Sequence, residues 1–121
     1  MAFLIGINTM SAPIQDNIPE FARGSTFEAV MTLPQSVAEN YFSSWQPLSQ
    51  IRREGNLTSE GLIDDLTLAW LGPREFILSS NDTDEWPLGI AEFDVLFSSN
   101  QGRRIRTKTL RVLIKAGPTQ D

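Results

Sequence analysis

Trp86-Pro87-Leu88-Gly89-Ile90-Ala91-Glu92-Phe93-Asp94-Val95-Leu96-Phe97, followed after a short polar break by a second run over residues 103–114, decides the fold of this chain. Apolar and polar residues alternate at the two-residue period of a strand with one buried face. The break, Ser98-Ser99-Asn100-Gln101-Gly102, ends in a glycine, which takes positive φ without steric cost. Two runs joined in this way predict a long antiparallel hairpin.

With those loop residues the register sets Phe97 opposite Arg103, Val95 opposite Ile105, Phe93 opposite Thr107 and Ala91 opposite Thr109. On the other face Asp94 meets Arg106, Glu92 meets Lys108 and Ile90 meets Leu110. A slip by one residue would turn one strand's apolar set to the wrong face, so the pattern selects a register. Each cross-strand pair contributes about 0.2–1 kcal/mol, so the charges fix pairing more than they hold the fold. They describe a solvated sheet face rather than an ion site.

Upstream of the hairpin, residues 74–80 give a short strand carrying Phe76 and Leu78, and Asn81-Asp82-Thr83-Asp84-Glu85 loops from it to Trp86. Leu62, Leu66, Leu68 and Trp70 share one face of a strand bounded by Gly61 and Gly72-Pro73. Asp64 breaks that face, which predicts a bulge or strand end beside it. Residues 45–53 form another strand, apolar at Trp45, Leu48 and Ile51 and irregular around Pro47. Residues 34–42 predict one or two helical turns with Ser36 as N-cap. Phe27, Ala29 and Met31 alternate with Glu28 through a strand over residues 26–32, which the turn Arg23-Gly24-Ser25 opens.

Residues 23–121 thus form the domain proper, and residues 1–22, with Pro13 and Pro19 in a polar context, form an N-terminal arm and linker. Its apolar part, residues 2–7, either makes a first strand or docks on another chain. Six or seven short strands separated by turn signals define an all-β, antiparallel sandwich or barrel with a short helical insertion.

The chain has 121 residues, enough for one buried core, and 40% are hydrophobic and 21% charged, ordinary for a soluble domain. Its net charge of −5 argues against a nucleic-acid partner, which requires concentrated positive charge. The one basic cluster is Arg103, Arg104, Arg106, Lys108 and Arg111. Met1-Ala2-Phe3-Leu4-Ile5-Gly6-Ile7 is too short for a membrane span and lacks the basic start of a signal peptide, so a soluble protein made in the cytoplasm is expected.

Cysteine and histidine are absent, which removes disulfides, thiolate nucleophiles, the usual zinc sites and the commonest general base. Carboxylates remain. Asp82, Asp84 and Glu85 resemble the start of a calcium loop, but Pro87 and Leu88 stand where further ligands are needed, so a solvated turn capped by Asp82 or Thr83 is the better account. Asp64 and Asp65, adjacent on a strand, point to opposite faces and cannot act as a pair. No glycine-rich phosphate loop or nucleophile elbow is present. No catalytic residue, cofactor or metal is expected. Trp45, Trp70 and Trp86 are expected in the core or at an interface rather than stacked on a sugar or base.

Arg23-Gly24-Ser25-Thr26-Phe27, Ser49-Gln50-Ile51-Arg52, Gly61-Leu62-Ile63, Asp82-Thr83, Trp86-Pro87-Leu88-Gly89 and Phe93-Asp94-Val95 resemble a group of small tailed-phage proteins. Gly102, Thr107-Lys108-Thr109, Val112 and Pro118-Thr119 extend the resemblance to a glycine turn, a threonine-rich last strand and a Thr tail. It implies an immunoglobulin-like β-sandwich similar to the N-terminal domains that attach receptor-binding fibres to a baseplate. The implied protein is a non-enzymatic virion component, made in the host cytoplasm and placed in the tail or baseplate or as a fibre adaptor. Its partners would be other virion proteins, with homo-oligomerisation in the particle. The expected interface residues are Phe3, Leu4, Ile5, Ile7 and Trp86, because an apolar arm adds to a neighbouring sheet without catalytic groups. Capsid decoration and a carbohydrate-binding sandwich are the alternatives.

Overall fold

The computed structural model describes residues 2–8, 18–56 and 58–117. Its strands are β1 (Ala2–Asn8), β2 (Glu20–Ala22), β3 (Thr26–Thr32), β4 (Gln46–Arg53), β5 (Leu62–Gly72), β6 (Glu75–Ser80), β7 (Gly89–Ser98), β8 (Arg104–Arg106) and β9 (Leu110–Lys115). They pair in the order β1-β3-β6-β5-β4-β7-β9-β2, with β8 on β7. The protein is all-β, and the path wraps into a nearly closed, barrel-like sheet.

The long β5 makes the wrap. Its first half pairs with β4, Ser49 opposite Leu66, and its second half pairs with β6, Thr67 opposite Ser79. Two halves of sheet therefore share one strand. Between them lie Phe27, Ala29 and Met31 of β3, Phe76 and Leu78 of β6, Ile51 of β4, Ala91, Phe93, Val95 and Phe97 of β7, and Leu110, Val112 and Ile114 of β9, all buried. Period-two alternation built this core, as the burial of every second residue of β3 and β7 shows. As Asp64 predicted, the β4–β5 register shifts beside it, between Ile51 and Arg52.

Three expectations are corrected. Residues 34–42 make no α-helix; they make successive turns, in which the amides of Val37, Tyr41 and Ser43 donate to the carbonyls of Pro34, Ala38 and Asn40 at 3.0, 3.1 and 3.2 Å. Asn40 sits at φ 59°, a left-handed conformation that stops a right-handed helix. Arg74 Nε donates to Val37 O at 2.6 Å and Asn40 N to Pro73 O at 2.9 Å, which ties the segment to the β5–β6 turn. Among the described residues the one helical element is a 3₁₀ turn at Ser59–Gly61.

The second correction is that the sheet is not wholly antiparallel. β1 runs parallel to β3, Ala2 level with Thr26 through Asn8 level with Thr32, and β2 runs parallel to β9. Phe21, on the arm side of the boundary drawn from sequence, is only 1% exposed and lies edge-on to Phe27 at 5.3 Å.

The third correction is the hairpin register. Phe97 faces Ile105 and Leu96 faces Arg106, and then, past Thr107, Phe93 faces Leu110 and Ala91 faces Val112. The return strand is thus broken into β8 and β9, with one extra residue between them. At the break, Thr107 Oγ1 accepts the buried amide of Val95 at 2.9 Å, and Thr107 N donates to Val95 O at 2.9 Å. The extra residue flips the parity, so that Thr107, then Leu110, Val112 and Ile114 all face the core. The loop itself moves by one residue, closed by Ser99 N to Arg103 O at 2.8 Å, with Ser99 Oγ accepting Arg103 N at 3.0 Å.

Gly102 holds φ +87° in that loop with open space around its missing Cβ. Alanine there meets no neighbour, only the backbone penalty. Gly102→Ala is expected to destabilise by about 1 kcal/mol in urea unfolding; no loss would mean that the loop relaxes to a turn with negative φ.

Candidate interaction surfaces

At one end of the barrel, Trp86 packs with Phe21 and Phe27 at 5.5 and 5.3 Å, and its Nε1 donates to Asp64 Oδ2 at 3.3 Å. That oxygen also accepts Ser80 Oγ at 2.7 Å, so Asp64 ties the indole to the end of β6. Thr83 closes the same end: its Oγ1 accepts Gly24 N at 2.9 Å and donates to Ser25 O at 2.6 Å. Trp86 is 3% exposed, so its ring is buried within this chain. Beside it, Leu88 is exposed.

Phe3, Leu4, Ile5 and Ile7 all fall on β1, an outermost strand of the sheet. Its register sets Phe3, Ile5 and Ile7 level with Phe27, Ala29 and Met31 of β3, and Leu4 level with Glu28. The backbone thus takes the strand alternative left open for residues 2–7.

At the opposite end, Phe42 of the turn segment stacks on Phe97 at 4.5 Å in near-parallel planes, and Tyr41 and Trp45 pack edge-on against Phe42. Arg103 lies over Trp45 at 5.8 Å and donates to Tyr41 Oη at 3.3 Å. Trp70 is half-buried against Phe76. Tyr41 was not singled out by sequence reasoning; its place depends on the left-handed turn at Asn40, which the helical expectation concealed.

The outer face of β4, β7 and β8 carries an open groove of about 470 Å³, lined by residues that include Leu48, Arg52, Asp94, Leu96, Arg104 and Arg106. Arg106 pairs with Asp94 at 3.3 Å, though Leu96 is its direct opposite, so the predicted charge pair forms on a diagonal. Glu92 instead accepts Gly55 N at 2.8 Å, and Arg111 pairs with Glu54 at 3.0 Å. Leu48 is half exposed in this groove. The signal for it was parity: Ser49 and Ile51 share the core face of β4, which leaves Leu48 on the other. Asp82, Asp84 and Glu85 are exposed in their loop, and no group of three or more metal-binding side chains comes together among the described residues.

No family model matches the chain, and no curated protein matches it. Among solved structures, the N-terminal domain of phage TP901-1 ORF48 superposes with a TM-score of 0.60 over 94% of this chain and 98% of that one, at 14% identity. The likeness is one of fold and spans nearly all of both chains.

Proposed function

We propose that this chain is a non-enzymatic structural protein of a tailed-phage virion, a tail, baseplate or fibre-adaptor component with an immunoglobulin-like arrangement of its strands. The observation that carries the reading is the match of nearly the whole chain to a phage N-terminal domain of almost equal extent. The resemblance of its turn residues to small tailed-phage proteins points the same way. The protein acts through interfaces with other virion proteins and with its own copies, and travels from the host cytoplasm into the particle. β1 is the element for such contacts, since an outermost strand presents unpaired backbone groups to a neighbouring chain.

Immunogold electron microscopy on particles, with antibody to the purified protein, tests this reading. Label at the tail tip is the expected result. Label over the capsid would transfer the protein to head decoration, and absence of label from every particle would overturn the virion reading.

A further inference from the structure

β8 is a strand with one partner. Among the described residues it pairs with β7 alone, while β2 reaches β9 only at Leu113, Ile114 and Lys115. The amides of Ser99 and Thr107 fix which backbone groups are used: Ser99 N bonds Arg103 O, and Thr107 N bonds Val95 O. In an antiparallel ladder alternate residues bond the same neighbour, so the N–H and C=O of Arg104 and Arg106 point to the other side, an edge that no other described strand occupies. Both side chains are exposed and line the groove with Leu48 and Leu96. Arg104 has no ion-pair or hydrogen-bond partner among the described residues.

We propose that this edge accepts an extended acidic segment of a different virion protein, added as a strand alongside β8. Backbone bonds to Arg104 and Arg106 supply the pairing, carboxylates on the groove face meet the two guanidinium groups, and alternate apolar side chains lie beside half-buried Ile105. A second copy of this chain fits poorly. β8 against β8 would oppose arginines, β1 carries no charge, and the single acid of β2, Glu20, is engaged with Lys115 at 3.4 Å. The identity of the partner as a virion protein rests on the function proposed above; the edge and its chemistry do not.

The test is fluorescence anisotropy of the full chain with a labelled hexapeptide alternating glutamate and valine, read beside the same peptide N-methylated at alternate residues and a single-stranded oligonucleotide. Binding of the plain peptide alone is expected, weakened about tenfold by Arg104→Glu, which alters an unpartnered exposed side chain and leaves the fold intact. Arg104→Glu with Arg106→Glu should weaken it further. No binding, equal binding of the N-methylated peptide, or equal binding of the oligonucleotide would each overturn the proposal, the last two by reducing the edge to unspecific charge. Peptide binding by a protein absent from every particle would leave the edge standing and remove the virion reading; labelled particles with no peptide binding would do the reverse.

Discussion

Phe97→Ala is expected to destabilise the protein by about 3–5 kcal/mol, read as a shift of the urea midpoint followed by tryptophan fluorescence. Phe97 is fully buried and three rings meet it, Phe42 at 4.5 Å, Phe76 at 5.9 Å and Trp70 at 6.1 Å, with Trp45 joined through Phe42 at 5.0 Å. Removing it leaves a cavity walled by rigid rings on the turn segment, β5 and β6, which cannot all move inward together. Against a total stability of about 5–15 kcal/mol for a domain, the variant would be marginal. A loss below about 1 kcal/mol would show that these rings are not packed as a unit.

Thr107→Val is expected to cost about 1–3 kcal/mol, because a near-isosteric side chain leaves the buried Val95 amide without its acceptor. Thr107→Ser keeps the hydroxyl and should retain most of the stability. Amide hydrogen exchange supplies the local readout: Val95 should lose protection in the valine variant more than Phe93 or Phe97. Uniform loss along β7 would mean that the hydroxyl holds the strand generally and not the break in its partner.

Thr107 also marks where the sequence was legible and where it was not. The strands over residues 26–32, 45–53, 61–70 and 74–80 were readable because a half-buried strand writes its face into alternate positions, and the structure places β3, β4, β5 and β6 there within a residue or two. The hairpin was readable as a hairpin but not in register. Its charges allowed Asp94 to reach Arg106 on a diagonal as easily as straight across, so charge pairing could not fix the alignment. The stronger signal lay in the apolar parity, which passes from odd numbers at Ile105 to even ones at Leu110, Val112 and Ile114 and requires one extra residue between. Residues 34–42 misled because helix and consecutive turns share local polar composition, and what separates them is the left-handed Asn40 and the ties of Asn40 and Val37 to Pro73 and Arg74. The burial of Trp86 was not legible, because the carboxylate that takes its indole N–H, Asp64, is distant in sequence. The resemblance to tailed-phage proteins rested on a scatter of turn residues, and the likeness found among solved structures is one of fold, at 14% identity.

The parallel pairing of β1 with β3 has a mechanical consequence. Followed strand by strand, β1, β3, β5 and β7 run one way and β6, β4 and β9 the other, so β1 starts at the end of the sheet where β9 finishes. Tension entering ahead of Ala2 and leaving after Lys115 would therefore pull both strands from one end, across their ladders rather than along them. Such a pull takes the cross-strand bonds one at a time, beginning at Ala2 opposite Thr26, whereas a lengthwise pull would load all seven paired positions of β1 at once. Held by its two ends, the domain would open strand by strand at a low force.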